Sequence, residues 1–436
     1  MKKKLKNALS VDNLLNLLSQ WSSNTADETT KIKAKISLHD HIMSAIAMFK
    51  LKYPSLLQFD KDRMDPAHAN NLKTLFHVDQ APCDTSLRER LDEVDPRLLR
   101  PLFKKLFALA QRNKVLESFE YLDGAYLCSL DGTGYFHSKS VHCDSCCTKK
   151  HRDGTVSYYH QMLCSVMVHP DKQHVIPFCP EPIQKADGSK KNDCERNASK
   201  RLLKDLKREH PHLKLIIVED SLASNAPHIK LLEELEYKYI LGAKPGDHKW
   251  LFDWVQASHR GQYEYVDEND HHHRFEFIND VPLNESNEDV RVNFLEHWET
   301  RPKGKVIHHT WVSNIVLTQN TVVKVMRGGR ARWKIENETI NTLKTQGYNF
   351  EHNFGHGKKH LSHVLALLMM LAFMLDELGF IACAVMQQAK TVLLGKKRMW
   401  RKIRSAFDSY IIATWDDLFC CLITGSNKPV LAPDTS

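Results

Sequence analysis

The stretch Arg330-Ala331-Arg332-Trp333-Lys334-Ile335-Glu336-Asn337-Glu338-Thr339-Ile340-Asn341-Thr342-Leu343-Lys344 decides how the rest of the chain is read. Gly328-Gly329 precede it, Gly347 follows it, and neither Pro nor Gly interrupts it, which predicts a helix. At about 100° per residue, Trp333, Ile340 and Leu343 share one face. Glu336 falls within that stripe, and Arg332 lies one turn before it. A half-buried carboxylate costs several kcal/mol unless a cation or strong donors receive it. On this helix alone an ordinary (i, i+4) Arg–Glu pair, worth about 0.2–0.5 kcal/mol, is the simpler reading. The other reading is a metal-binding carboxylate, and it requires partner carboxylates at the ends of strands elsewhere.

Two such positions exist. Ala125-Tyr126-Leu127-Cys128-Ser129-Leu130 is strand-like and runs into Asp131-Gly132-Thr133. Leu213-Lys214-Leu215-Ile216-Ile217-Val218-Glu219 is a second strand-like run and leads into Asp220-Ser221. An Asp at the end of a buried strand is fixed by the sheet and left open by the loop, which suits a hard cation. Each Asp taken singly is also a common turn residue. The combination of the three is more specific than its parts.

Asp131, Asp220 and the Arg332-Trp333-Lys334-Ile335-Glu336 segment resemble the catalytic triad of DDE transposases from bacterial insertion sequences, in the branch with a β-rich insertion before the glutamate. That family's glutamate signature is Tyr, two residues, Arg, three residues, Glu, six residues, Lys. Arg332 and Glu336 match it; the Tyr position is Gly329, and the Lys position is Leu343 with Lys344 one step later. The resemblance covers roughly residues 120–380. It implies an α/β fold: a ribonuclease-H-like catalytic core with a β-rich insertion and helical N- and C-terminal regions. The expected divisions are 1–118 (helical, reading the DNA end), 119–244 (core), 245–322 (insertion), 323–380 (core with the glutamate helix) and 381–436 (helical).

Element order agrees with this expectation. Strands are predicted at 125–130, 155–169 and 174–182, a helix at 194–209, a strand at 213–219, a helix at 227–235 and a strand at 237–243. In that order the first and fourth strands lie side by side, so Asp131 and Asp220 become neighbours. Five strand-like runs between Gln262 and Leu317 predict the insertion, whose Trp298 and Trp311 are candidates to stack on a DNA base, with a buried strand Trp the competing reading. His271-His272-His273 reads as a solvated turn. In the N-terminal region Ser22 to Thr30 reads as a polar linker, and Leu98 to Phe107 as a basic amphipathic helix.

The formal charge is +8, from 61 Lys and Arg against 53 Asp and Glu, which suits a polyanionic partner without requiring one. A 42% hydrophobic content supports a sizeable core and excludes global disorder. Lys2-Lys3-Lys4 is not followed by an apolar signal core, and eleven Cys fit a reducing, cytoplasmic setting, which for the resembled family means the bacterial nucleoid. The run Val364 to Leu375 is too short to span a bilayer, so a core helix and no membrane partner are expected. Lys358 and Lys359 after the glutamate helix, and Lys396, Lys397 and Arg398 near the C-terminus, are candidate DNA contacts with Arg332 and Lys344; a solvated face is the simpler reading for each run.

Function follows from the resemblance. It implies double-stranded DNA, at terminal inverted repeats and at a target, held by a homodimer. Asp131, Asp220 and Glu336 would hold two Mg²⁺ or Mn²⁺ ions about 3.5–4 Å apart for in-line displacement at phosphorus. Two alternatives stay open: a nuclease of the same fold without strand transfer, and a transposase-derived DNA-binding protein without activity. Zinc is not expected. Cys143 and Cys146 form one tight pair with Cys147 beside it, and a fourth ligand would have to be His142 or His151, at no usual zinc spacing.

Overall fold

The computed structural model describes residues 8–29, 35–185, 192–425 and 430–431. Lys2-Lys3-Lys4 lies outside the described residues. The architecture is mixed α/β, built on a twelve-stranded mixed sheet. Its strands are β1 (Glu120–Leu122), β2 (Ala125–Ser138), β3 (Cys147–Lys150), β4 (Val156–Val168), β5 (Ile176–Pro177), β6 (Glu181–Ile183), β7 (Leu215–Glu219), β8 (Lys238–Gly242), β9 (Gly261–Val266), β10 (His272–Asn284), β11 (Asn287–Thr300) and β12 (Val306–Ser313). The order across the sheet is β3-β4-β2-β7-β8-β12-β11-β10-β9, with β1 beside β2 and with β5 and β6 beside β4.

Strand β2 runs antiparallel to β4 but parallel to β7, with Tyr126 opposite Leu215 and Ser129 opposite Val218. Strand β7 in turn runs parallel to β8. Every residue of β7 is buried, as expected for a central parallel strand covered on both faces. The first long strand and the strand at 215–219 are therefore direct neighbours, as the element order requires.

The strands read as an insertion do not form a separate sheet. Strand β12 pairs with β8 through Trp311 and Gly242, so β9–β12 extend the main sheet. The interval 245–322 also opens with a helix, Lys249–Gln256, and its last two predicted strands are one, β12. His271-His272-His273 is not a solvated turn: His273 lies in β10, is buried, and is 3.0 Å from His297. The predicted linker from Ser22 is helical as far as Thr29, within Val11–Thr29.

The N- and C-terminal helices pack together around helix Leu361–Ala382. That helix is long and apolar enough to cross a membrane, contrary to the shorter span expected, yet nearly all of it is buried inside the protein. The boundary placed at 380–381 falls within it. It carries Asp376, which meets Lys50 and Lys52 at 2.6 Å each and the Tyr348 hydroxyl at 2.5 Å. The Lys52 ammonium lies 3.5 Å from the Tyr348 ring centre and 4.4 Å from that of Trp400. Burial opposes the Asp376 charge, and the two lysines outweigh it and hold its carboxyl below the usual range. Burial lowers Lys52 to about 8 against the pull of Asp376.

This cluster joins the N-terminal helix Leu38–Lys50, the loop after the glutamate segment, the core helix and the C-terminal helix Lys396–Ser409. Removing one partner leaves an uncompensated buried charge, at a cost of about 3–5 kcal/mol. Asp376→Ala is therefore expected to lower unfolding free energy by about that amount in urea denaturation. A loss below about 1 kcal/mol would show that the cluster does not bind these elements together.

Candidate active site

Asp131 does not end its strand. β2 continues to Ser138, but its pairing with β7 stops at Ser129 opposite Val218, so Asp131 stands just past the point where its neighbour gives out. On the other side it pairs with Cys164 of β4. Asp220 follows the last residue of β7, is exposed, and accepts the Leu222 backbone N–H at 2.9 Å, which closes the turn. Glu219, just before it, is buried and held at 2.6 Å by His228. Burial opposes the charge on His228, and Glu219 overcomes this and raises its pKa.

The glutamate segment is not one regular helix. Gly328 and Gly329, read as its start, lie inside a preceding helix, Val322–Arg330. Their role is close approach to the sheet. A Cβ at Gly329 would lie 2.4 Å from Trp311 Nε1, and one at Gly328 would lie 2.9 Å from Ile240. The chain then tightens through i→i+3 hydrogen bonds over 331–335 and widens into a π-helix, Ile335–Ile340. This change of pitch moves the apolar stripe: Ile335, Thr339, Ile340 and Leu343 are buried, whereas Trp333 is 52% exposed. The wider turns carry Glu336 to the side of the buried row, with its side chain 33% exposed.

Two contacts fix that carboxylate. Arg332 reaches Glu336 at 3.0 Å, and the Ser129 hydroxyl donates to the Arg332 carbonyl at 3.2 Å. Ser129 lies two positions before Asp131 on β2, so the glutamate segment is pinned to the strand that carries the first aspartate.

Glu336 and Asp220 both act on the charge of Asp131. Asp131 is pushed up to about 6, first by burial, then by Glu336, against the pull of Arg332, with Glu195 and Asp220 adding to the rise. Glu195, at the start of helix Glu195–Glu209, is a fourth member that the sequence reading missed. The residue as a whole is exposed, yet its Oε1 would lie 2.2 Å from a Cβ built on Gly132. Burial of its carboxyl, and then Asp220 and Glu219, raise it. A cap-position acid after a polar stretch carries no periodic signal that separates it from an ordinary helix-start Glu.

The remaining predicted residues are placed as follows. Lys344 pairs with Glu351 at 2.6 Å. The backbone N–H groups of Lys358, Lys359, His360 and Leu361 all donate to the Asp92 carboxylate, and the Lys359 ammonium pairs with Glu93. This loop is thus wrapped around an internal anion, and its backbone donors are not free for phosphate. Burial opposes the charge on Asp92, and these backbone donors prevail and lower its pKa.

Lys396 pairs with the buried Glu377 at 2.7 Å, whereas Lys397 and Arg398 are exposed. Trp311 is buried against Gly329 and offers no free face to a base; Trp298 is partly exposed, with His308 stacked on it and Arg274 4.5 Å from its ring centre. Arg100, in the basic N-terminal stretch, is engaged with Asp205 at 3.1 Å and with Glu209.

Oxygen-only donors of this kind fit Mg²⁺ or Mn²⁺ rather than a softer metal. The raised Asp131 has a consequence for stability without any cation. A folded-state pKa above the unfolded value contributes stability that is full below the unfolded pKa and is lost as pH rises through about 6. Asp131→Asn is therefore expected to stabilise the metal-free protein at pH 8 by about 1–2 kcal/mol, allowing for solvent screening, and to be neutral at pH 4. Urea midpoints at the two pH values in EDTA test this; equal midpoints for both proteins at pH 8 would show that the site does not penalise the Asp131 charge.

A piggyBac transposase in a synaptic complex with hairpin DNA aligns with 100% of this chain and 87% of its own, at a TM-score of 0.40 and 11% sequence identity. The chain matches no protein-family model and no curated protein sequence.

Proposed function

We propose that the protein is a DDE-type DNA transposase, a metal-dependent polynucleotidyl transferase that cuts and joins DNA by in-line displacement at phosphorus. One observation carries this reading: Asp131, Asp220 and Glu336, far apart in sequence, gather beside the open end of β7, where the charges of Glu336 and Asp220 add to the rise of Asp131. The strand order supports it. A three-strand antiparallel unit (β6 or β5, β4, β2) followed by the parallel β7 and β8 is the arrangement expected of a ribonuclease-H-like core, and β9–β12 fill the interval before the glutamate.

Asp131, Asp220 and Glu336 would hold Mg²⁺ or Mn²⁺, two ions by family resemblance, which when bound supply Lewis-acid stabilisation of oxygens at the reacting phosphorus. Arg332 keeps Glu336 aimed, and Ser129 keeps Arg332 in place. Asp131 must shed its proton to take up a cation, which ties activity to pH near 6 and above. Lys344 can serve a phosphate by leaving Glu351. Lys397, Arg398, Arg401 and Lys402 form an exposed basic face on helix Lys396–Ser409 suited to DNA backbone, in place of the paired Lys396. Two subunits on two DNA ends, in the bacterial cytoplasm, complete the proposal.

The test is incubation of the full chain with duplexes carrying its element's terminal repeats and Mg²⁺ or Mn²⁺, with product ends mapped. Cleavage with joined products is expected, and Asp131→Ala, Asp220→Ala and Glu336→Ala should each reduce it at least about 100-fold while end binding persists. Cleavage without joining would make the protein a nuclease. Binding without cleavage under either metal would make it a DNA-binding protein. A variant that cuts at the wild-type rate would remove its residue from the site.

A further inference from the structure

Away from the carboxylates, the side chains of Cys143, Cys146, His160 and His356 converge, with one ligand atom from each lying within 4.8 Å of all the others. The pairwise distances are Cys143 Sγ to Cys146 Sγ 3.8 Å, each of these sulfurs to His160 Nε2 3.4 Å, and Cys146 Sγ to His356 Nε2 3.4 Å. A tetrahedral zinc with Zn–S of about 2.3 Å and Zn–N of about 2.0–2.1 Å requires S···S of about 3.8 Å and S···N of about 3.5 Å. The observed separations match both. They do not match a disulfide, whose sulfurs lie about 2.05 Å apart.

The geometry points to a structural zinc site made by Cys143, Cys146, His160 and His356. The donor set of two thiolates and two imidazoles selects zinc over the hard cations suited to the carboxylate site. Three of the four residues are buried and the fourth partly so, which gives a closed site with no position for substrate. The cysteines approach through a tight turn in which the Cys146 N–H donates to the Cys143 carbonyl at 3.2 Å, and the Cys143 N–H donates to the Cys146 sulfur at 3.4 Å. Phe136 packs against both imidazoles, with ring centres 5.7 Å from His160 and 4.2 Å from His356. His356 Nδ1 is buried without a hydrogen-bond partner, so its one polar engagement through the ring is at Nε2, in the cluster.

The ligand count that sequence spacing left short is completed from a distance. His142 stacks on Tyr158 and His151 bonds Ser157 at 2.9 Å, and neither joins the cluster. His160 comes from β4, and His356 from the loop after the glutamate segment, 210 positions from Cys146. A zinc here would clip that loop to the loop between β2 and β3, fastening the chain downstream of Glu336 to the sheet that carries Asp131. The inference is independent of the DNA chemistry, since its readouts are metal content and stability.

The full chain, purified without chelators, should contain one zinc per chain by elemental analysis. After replacement by Co²⁺ it should show the intense visible absorption of a tetrahedral ion together with thiolate charge-transfer bands. His356→Ala and the Cys143→Ser, Cys146→Ser double variant should lose the zinc, and His151→Ala should keep it. Chelation should lower the wild-type Tm on the order of 10 °C. If a variant fails to fold, the cobalt spectrum of the wild type still decides. A metal-free protein that takes up neither zinc nor cobalt, a Cys143–Cys146 disulfide found by mass spectrometry, or zinc retained by both variants would overturn the site.

Discussion

Four backbone pairings between β2 and β7, from Tyr126 opposite Leu215 to Ser129 opposite Val218, govern where the acidic residues can stand. Parallel pairing aligns the two strands in one direction, so both aspartates emerge at the same end. Because β7 stops at Glu219 while β2 continues to Ser138, Asp131 gains an open flank that a fully paired strand residue lacks. The Glu219–His228 bond keeps the end of β7 from drifting and sets the position of Asp220. Everything else at the site acts by bringing charge to that opening: Glu195 over Gly132, and Glu336 from the π-helix. The result is a concentration of negative charge that protein contacts neutralise only in part, through Arg332. Burial first, and then this repulsion, raise Asp131 and Glu195, and a cation that binds there would favour their charged forms.

The glutamate reaches the opening because its approach is held from several sides. The helix Val322–Arg330 lies close to the sheet through its two glycines, and its last residue, Arg330, engages the buried Glu299 of β11. Burial opposes the Glu299 charge, and Arg301 and Arg330 outweigh it and lower its carboxyl. On the far side, Tyr348 ties the chain to the Lys50–Lys52–Asp376 cluster, and the 358–361 turn closes on Asp92. The terminal helices thus brace the glutamate segment rather than forming detachable ends.

Much of the framework was legible because it depends on local signals. The apolar runs ending at Glu219 and Gly242, the amphipathic pattern from Glu195 and the strand order follow from short-range periodicity, and the strand order brings Asp131 beside Asp220. The misreadings have two physical causes, a local change of helical step and contacts far away in sequence. A uniform 100° step puts Trp333 on the buried face, whereas the π-helix changes the step. Gly328 and Gly329 read as a helix boundary, but Trp311 and Ile240 call for their missing side chains. Lys358 and Lys359 resembled a phosphate loop, and only the fold reveals Asp92 in the middle of it. Glu195, His160 and His356 carried no local mark of any role.

Asp131, Asp220 and Glu336 are proposed to form one cation site. Crystals of the full chain grown with Mn²⁺ and measured at the manganese absorption edge test it most directly. An anomalous peak within coordinating reach of Asp131, Asp220 and Glu336 is expected. Saturating Mn²⁺ that leaves no peak at these three carboxylates, or that binds elsewhere in the chain, would contradict it.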